Sequence, residues 1–158
     1  MPDKNIEELL KQKRIAEIVN PRLVRASWDI TVAAAIDLMQ ANRSAYVVLT
    51  DGEAIKGIFT EVEVAEKILG SEESRARPVR DFMNAEPVFL SAEDSVGSAI
   101  DLMAKKKMYY LPLVASGGRL TGVLSVRTLI RFLAECYPTE VYNLPPDPGH
   151  FSDTPEGG

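Results

Sequence analysis

The tetrapeptide Ile36-Asp37-Leu38-Met39 occurs a second time as Ile100-Asp101-Leu102-Met103, 64 positions further along the chain. The similarity extends upstream and downstream of both copies at the same spacing. After one residue is inserted near 117–118, Gly57-Ile58-Phe59-Thr60 aligns with Gly122-Val123-Leu124-Ser125. A duplication of this length predicts two similar units that pack about a pseudo-twofold axis and leave two related clefts. This organisation is typical of a binding module.

The composition indicates a globular protein of the cytoplasm. The chain has 158 residues, of which 46% are hydrophobic, and a formal net charge of −5, which disfavours binding to nucleic acid or to an anionic membrane. No apolar run approaches the roughly 20 residues that cross a bilayer. The N-terminal segment lacks the apolar core of a signal peptide. Cys136 is the only cysteine, which fits a reducing compartment.

Each unit has the same order of predicted elements. Thr31 and Ser95 stand where helix N-caps are expected, and apolar residues at helical spacing follow both. Two short strand patterns joined by a glycine-containing turn come next, and a second helix closes each unit. The predicted ranges are extended segments at 22–26 and 86–90, strands at 46–49, 54–59, 110–114 and 119–124, and closing helices at about 61–69 and 126–135.

The segments outside the repeat have their own character. Apolar positions at helical spacing predict a helix over residues 4–19, which Pro21 ends. Residues 70–78 form a polar link, and half of the ten prolines follow Tyr137, which indicates an extended arm or a disordered tail. We therefore divide the chain into an N-terminal helix leader at 1–14, a first unit with its link at 15–78, a second unit at 79–135 and a proline-rich arm at 136–158.

The motifs and their duplication resemble the cystathionine β-synthase (CBS) domain family over roughly residues 15–134. The resemblance is carried by the lead-in Val79-Arg80-Asp81-Phe82-Met83, the hydroxyl residue that opens each first helix, the strand Leu111-Pro112-Leu113-Val114 and the Gly-apolar-apolar-Thr/Ser turns. It implies a mixed α/β (α+β) fold with two β-α-β-β-α units packed sheet to sheet, called a Bateman module. It also implies a homodimer that binds adenosine-containing ligands in its clefts and regulates another protein.

The ligand turn of the family ends in an aspartate that holds ribose hydroxyls, and both copies here lack it. Glu63 stands at the first position and keeps the charge, so it can still accept two ribose hydrogen bonds. Thr128 stands at the second position, three residues after Ser125, and offers a single hydroxyl. Thr60 and Glu63 also match a capping box, so this pair has a structural interpretation beside the ligand-binding one.

Further candidates come from the resemblance and from charge. Thr31 and Ser95 match positions of ligand-contacting hydroxyls, with N-capping as the alternative. Tyrosines at the strand mouths can stack on adenine or pack half-buried, and the arginines of the last helix suit phosphate or form a solvated face. Because glutamates occupy the corresponding helix of the first unit, we expect the second cleft to favour phosphate and the first to favour ribose or Mg²⁺. The candidate ligand residues are Thr31, Ala45, Tyr46, Thr60, Glu63, Ser95, Tyr109, Tyr110, Pro112, Ser125, Arg127, Thr128 and Arg131.

Catalysis finds no support in the sequence. His150 is the only histidine and Cys136 has no base near it in sequence, so neither a thiol nucleophile nor a Cys/His metal site is indicated. We expect no catalytic residues, no metal site and no required cofactor. The predicted function is a regulatory sensor that binds AMP, ADP or ATP, with or without Mg²⁺, and acts on an unidentified effector protein. Two alternatives stay open: a ligand-free dimerising scaffold, and a binder of S-adenosylmethionine or NAD.

Overall fold

The computed structural model describes residues 2–20, 22–85 and 88–136. Helix α1 spans Pro2–Gln12 at the N-terminus. The first unit contains β1, α2, β2, β3 and α3, at Arg25–Ser27, Val32–Asn42, Tyr46–Asp51, Ala54–Thr60 and Glu61–Glu63. The second unit contains β4, α4, β5, β6 and α5, at Leu90–Ser91, Val96–Lys106, Tyr110–Val114, Leu120–Ser125 and Val126–Cys136.

Each unit builds one three-stranded sheet, with strand orders β1-β2-β3 and β4-β5-β6. The first pair in each sheet is parallel and the second pair is antiparallel. The two sheets face each other through the buried side chains of Val48, Ile58, Leu120 and Val123. The opposite face of each sheet packs with its helices into a separate apolar core. The predicted mixed α/β fold with sheet-to-sheet packing is confirmed.

The first helix of each unit begins and ends in the same way. Thr31 and Ser95 each accept a hydrogen bond at 3.1 Å from the backbone N–H three residues later, so both predicted N-caps are confirmed. Helices α2 and α4 are followed by Arg43 and Lys107, which adopt left-handed backbone conformations with φ of 49° and 54°. This conformation ordinarily favours glycine at the end of a helix.

The lead-in segment of each unit packs into the core of the other unit. Ile15 precedes the first sheet but is fully buried among the residues of the second core. Its counterpart Val79 is fully buried in the first core. A backbone bridge holds each lead-in to the N-cap of the opposite helix, Arg14 to Ser95 and Pro78 to Thr31. Each apolar core therefore contains the sheet and helices of one repeat together with the lead-in of the other repeat.

The helix predicted over 4–19 is wrong in its second half. Helix α1 ends seven residues earlier, and a 3-10 turn at Ile15–Glu17 follows it. The backbone C=O of Lys13 accepts a hydrogen bond at 2.8 Å from the N–H of Val96, at the start of α4. That carbonyl therefore completes another helix instead of extending its own. Helix α1 packs against α4 of the second unit.

Other boundaries also differ from the sequence predictions. The segment predicted as a helix over 61–69 begins as α3 but continues with π-type hydrogen bonding over Val64–Ile68. The polar link contains a 3-10 turn at Glu73–Ala76, within which Ser74 is buried and its hydroxyl is hydrogen-bonded to that of Ser71. The predicted extended segments form strands only at β1 and β4. The predicted arm lies outside the described residues beyond Cys136.

Candidate ligand-binding cleft

The pseudo-twofold symmetry fails at one backbone contact. In the first unit, the N–H and C=O of Ile58 on β3 are hydrogen-bonded to Asn84, at 3.1 and 2.9 Å. By the sequence repeat, the equivalent residues of the second unit are Val123 on β6 and Asn20. These two described residues form no such bridge, although both line one cavity. Among the described residues, the edge of β6 is therefore open where the edge of β3 is closed.

The open edge directs polar backbone groups away from β5. Val123 lies opposite Pro112 in the second sheet, as Ile58 lies opposite Val48 in the first. Because the N–H and C=O of Ile58 face outward from their own sheet, the same register turns those of Val123 toward the cavity. Proline fits this register because it has no N–H to donate across the strand pair. The cleft wall thus offers one backbone donor and one acceptor side by side.

A cavity of about 860 Å³ lies beside this open edge. It is bounded by the lead-in of the first unit, the mouths of β2 and β5, and the start of α5. Its volume falls within the roughly 300–1,000 Å³ that small-molecule sites occupy. Eight of the thirteen predicted ligand residues line it: Ala45, Tyr46, Tyr109, Tyr110, Ser125, Arg127, Thr128 and Arg131. The fold therefore gathers candidates from both units at one place.

Four exposed arginines line this cleft, namely Arg22, Arg43, Arg127 and Arg131. None of them forms an ion pair with a described residue. The two on α5 were predicted from the sequence, whereas Arg22 and Arg43 were not. The available signal for Arg43 was its position two residues before the predicted strand mouth at 45–46. Four guanidinium groups around one cavity favour a ligand with several negative charges.

A carboxylate and three tyrosines also line the cleft. The rings of Tyr46 and Tyr110 are tilted by 41° with centroids 5.6 Å apart, and the Tyr110 hydroxyl donates a hydrogen bond to Glu61 Oε1 at 3.2 Å. Burial, and then the nearby charge of Glu61, raises the pKa of Tyr110 to about 12. Burial likewise raises the pKa of Tyr46. Tyr109 is 59% exposed at the mouth, where its ring is accessible to a ligand.

Two hydroxyl residues lie at the start of α5 within the cleft. The Thr128 N–H donates a hydrogen bond at 3.1 Å to Ser125 Oγ, and the two hydroxyl oxygens are also 3.1 Å apart. Ser125 therefore serves as the helix cap, and Thr128 occupies the position at which the family pattern expects an aspartate. Since Arg127 adjoins them on the same turn, this helix start combines hydroxyl groups with a guanidinium group.

Five predicted ligand residues do not line the cleft: Thr31, Thr60, Glu63, Ser95 and Pro112. Glu63 Oε1 accepts the backbone N–H of Thr60 at 2.7 Å and its hydroxyl at 2.6 Å, while Thr60 itself is buried. The capping box is therefore the arrangement that this pair forms. Thr31 and Ser95 cap their helices, and Pro112 is fully buried in β5. Ligand roles for all five stay predictions.

A second hollow, of about 520 Å³, lies on the outer helical face of the first unit. Ile36 and Met39 of α2 line one side of it. Val64 and Leu69, which follow α3, line the other. Leu69 is 73% exposed, although leucine is ordinarily a core residue. An apolar hollow with such a rim is typical of a surface on which another protein packs.

Comparison with known proteins identifies the family. The family model described as the CBS domain matches residues 15–70 and 79–135. The chain belongs to the CBS domain family, and these two matches make it a tandem pair.

Curated relatives are similar over most of this chain. An uncharacterised 17.7 kDa protein of Acidianus ambivalens is 25% identical over 125 residues, which are 78% of this chain and 75% of that protein. The inosine-5′-monophosphate dehydrogenase of Methanocaldococcus jannaschii is 26% identical over 132 residues. That similarity covers 80% of this chain but only 26% of the enzyme, so it leaves most of the enzyme unmatched.

Solved structures share the fold. A putative signal-transduction protein with CBS domains from Burkholderia ambifaria is 26% identical, with a TM-score of 0.68 over 77% of this chain and 91% of that one. The CBS domain protein PAE2072 from Pyrobaculum aerophilum, solved with AMP, is 21% identical, with a TM-score of 0.70 over 80% of this chain and 99% of that one. The CBS domain pair of protein MJ0100, solved with 5-methylthioadenosine and S-adenosylmethionine, is 14% identical, with a TM-score of 0.70 over 78% of this chain and 97% of that one.

Within residues 2–20, 22–85 and 88–136, no helix has the length and apolar character to cross a bilayer. Within the same ranges, no three His, Cys, Asp or Glu side chains are grouped so that they could hold a metal ion.

Proposed function

We propose that this CBS pair is a regulatory module that binds an adenine nucleotide in the 860 Å³ cleft. The observation that supports it is the convergence on one cavity of four arginines, from both units, that form no ion pair with any described residue. Guanidinium groups bind phosphate through paired, charge-assisted hydrogen bonds. A nucleotide would place its phosphates among these arginines and its base against the other residues that line the cleft.

Other lining residues of the cleft suit the nucleoside. The outward N–H and C=O of Val123 complement an adenine edge, which offers one donor and one acceptor side by side. The exposed ring of Tyr109 is available for stacking on the base. Ser125 and Thr128 line the same cleft beside Arg127 at the start of α5, so their hydroxyls would contact the ribose. Together these groups match the three parts of an adenine nucleotide.

The charge of the cleft ranks the alternative ligands. S-adenosylmethionine carries a sulfonium cation, which four arginines disfavour, whereas NAD has two phosphates and is the nearer competitor. The related folds solved with AMP and with S-adenosylmethionine make both ligand types reasonable to compare. Because no described cluster is arranged to hold a metal, Mg²⁺ would enter with the ligand's phosphates.

The proposed mechanism is a shift between orientations of the two units. A ligand that contacts Arg22 and Tyr46 of the first unit and Arg127 of the second favours the orientation in which all three reach it. Ligand binding thereby changes the surface that the module presents to an effector protein.

We also propose that the module is a homodimer that associates through the 520 Å³ hollow. The 73% exposed side chain of Leu69 and the apolar lining of the hollow favour this surface. Sedimentation velocity of the Leu69→Glu variant should show a shift from dimer to monomer, whereas Phe89→Glu, an exposed apolar residue elsewhere on the second unit, should not change the association state.

The first test is isothermal titration calorimetry with AMP, ADP, ATP, NAD and S-adenosylmethionine, each with and without Mg²⁺. We expect the nucleotides to bind and S-adenosylmethionine to bind more weakly or not at all. Arg131→Ala should weaken binding about tenfold, which corresponds to about 1.4 kcal/mol. Arg119→Ala, an exposed arginine outside the cleft, is the matched control. Absence of binding by every compound would favour the dimerising scaffold instead.

A further inference from the structure

The cleft has more positive charge than the described residues balance. Glu61 is its only acidic lining residue, against four arginines, and it already accepts the hydrogen bond from Tyr110. Exposed cations that are crowded around one cavity repel each other, so an anion that enters the cavity is stabilised. The cleft is therefore suited to an acidic occupant whenever a nucleotide is absent.

The mouth of the cleft also exposes apolar surface. Ile130 on α5 is 62% exposed and lines the same cleft as the 59% exposed side chain of Tyr109. A nucleotide bound by its phosphates and base does not need an isoleucine at this position. An occupant with both carboxylates and apolar side chains would use Ile130 and the arginines together.

The C-terminal arm, residues 137–158, has this composition. It contains four acidic residues, Glu140, Asp147, Asp153 and Glu156, and no lysine or arginine. It thus carries four of the five units of net negative charge of the whole chain. Its first part, Glu140-Val141-Tyr142, places a carboxylate next to a branched apolar side chain and an aromatic ring. The charge and the apolar character of the arm both complement the cleft.

The arm begins within reach of the cleft. Helix α5 starts at the cleft wall and ends at Cys136, five residues after Arg131, which is about 7.5 Å along the helix axis. An extended chain covers about 3.3 Å per residue, so a stretch of three residues is long enough to span that distance. Glu140 is the fourth residue after the helix. The first carboxylate of the arm can therefore reach the arginines on α5.

We propose that the arm docks in this cleft, with Glu140 on the α5 arginines and its apolar residues on Ile130, and that the nucleotide must displace it. A segment tethered this closely has an effective concentration of millimolar order, so even weak docking competes with a free ligand. The arm would then set the nucleotide concentration at which the module responds. The competition part rests on the proposed function, whereas the docking itself does not.

Two full-length double variants with the same change in charge test the competition. Glu140→Gln with Asp147→Asn neutralises the part of the arm nearest the cleft, and Asp153→Asn with Glu156→Gln neutralises its distant part. We expect ATP, measured by calorimetry, to bind about three- to tenfold more tightly to the first variant. The distant pair should change the affinity less than about twofold, because a longer tether lowers the effective concentration.

A second measurement needs no nucleotide. A fluorescent synthetic peptide of residues 137–158 is titrated with the Glu140→Gln, Asp147→Asn chain, and its anisotropy should rise on binding. Adding Arg131→Ala to that chain should abolish the rise, and adding Arg119→Ala should preserve it. If ATP binds every variant equally and the peptide does not bind, arm docking is refuted while the proposed function stands. If the peptide binds through Arg131 but no nucleotide binds any variant, docking stands and the proposed function fails. A gain in ATP affinity that disappears on dilution of the protein would place the arm in a second copy and overturn docking within one chain.

Discussion

Replacing Arg43 with glycine should weaken nucleotide binding while making the fold more stable. Arg43 lines the cleft, but its backbone has φ of 49° and ψ of 47°, the left-handed conformation that follows helix α2. Its side chain forms no hydrogen bond or ion pair with a described residue, and its backbone N–H, which bonds to Gln40, is kept by glycine. The substitution therefore removes a cation from the cleft and relieves backbone strain at once.

The gain in stability follows from two opposing terms. An L-residue in the left-handed conformation costs about 1–2 kcal/mol, which glycine does not incur. Glycine loses about 0.4–1 kcal/mol through the greater freedom of its unfolded chain. The net gain in the free energy of unfolding is about 0.5–1 kcal/mol, or about 1–4 °C in melting temperature for a domain of this size.

The loss of affinity follows from the missing guanidinium group. A hydrogen bond to a charged group contributes about 1.5–3 kcal/mol, and the lower end applies because Arg43 is exposed. The dissociation constant for ATP should therefore rise about tenfold. Calorimetric titration measures this change, and urea unfolding of the same preparation measures the stability.

The repeat supplies a matched control in Lys107→Gly. Lys107 has φ of 54° and ψ of 48° at the end of α4, the same conformation at the equivalent position, and it does not line the cleft. This variant should gain similar stability and keep its affinity for ATP. Equal affinity losses in both variants would show that the strain, not the charge, governs binding. An Arg43→Gly protein that binds ATP as tightly as the parent would remove Arg43 from the site.

Three further predictions concern stability, capping and pH. Gly57→Ala should lower the free energy of unfolding by about 1–3 kcal/mol in urea titrations, since the added Cβ would lie 2.5 Å from a backbone carbonyl oxygen. In the control Gly122→Ala the nearest atom to the added Cβ is at 4.0 Å, so the free energy of unfolding should change by less than about 0.5 kcal/mol. Glu63→Ala should lower the free energy of unfolding by about 1 kcal/mol through loss of the capping box and should leave ATP affinity unchanged by calorimetry; a weaker affinity would support the predicted ligand role of Glu63. Because the pKa of Tyr110 is raised from 10.0 to about 12, its contribution to stability is present below pH 10 and is lost as the pH rises to about 12. Glu61→Gln should lower this pKa, as measured by a phenolate absorbance titration. An unchanged pKa would contradict the hydrogen bond between Tyr110 and Glu61.

The fold was predictable because its main signals are local. The caps at Thr31 and Ser95 and the periodicity of the helices after them are read within a few residues. The duplication then doubles each signal, so that elements weak in one copy gain support from the other. The break after α1 was not predictable in this way, because it depends on the hydrogen bond from Val96 to Lys13, residues distant in sequence.

The cleft was predictable only in part for a related reason. The pattern of predicted strands and helices indicates which residues lie at strand mouths and helix starts. Tyr110 and Arg131 were predicted in this way. Arg22 was missed because it lies on an irregular lead-in whose placement depends on the opposite unit. Asn84 closes the edge of β3, but the equivalent Asn20 does not close the edge of β6. The two residues are identical and differ only in their tertiary position, so the sequence repeat does not distinguish them.

The exchange of lead-ins means that neither repeat can complete its own core. A single repeat made alone would leave the place of Val79 or Ile15 unfilled and would have to obtain the missing segment from a second molecule. Two such molecules would form a symmetric pair by swapping their first residues, and this pair would fall apart on dilution. Joining the two copies in one polypeptide makes the same contact unimolecular. The link at residues 70–78 therefore has a thermodynamic role. Because it joins the two repeats in one chain, the packing of each lead-in into the opposite core does not depend on protein concentration.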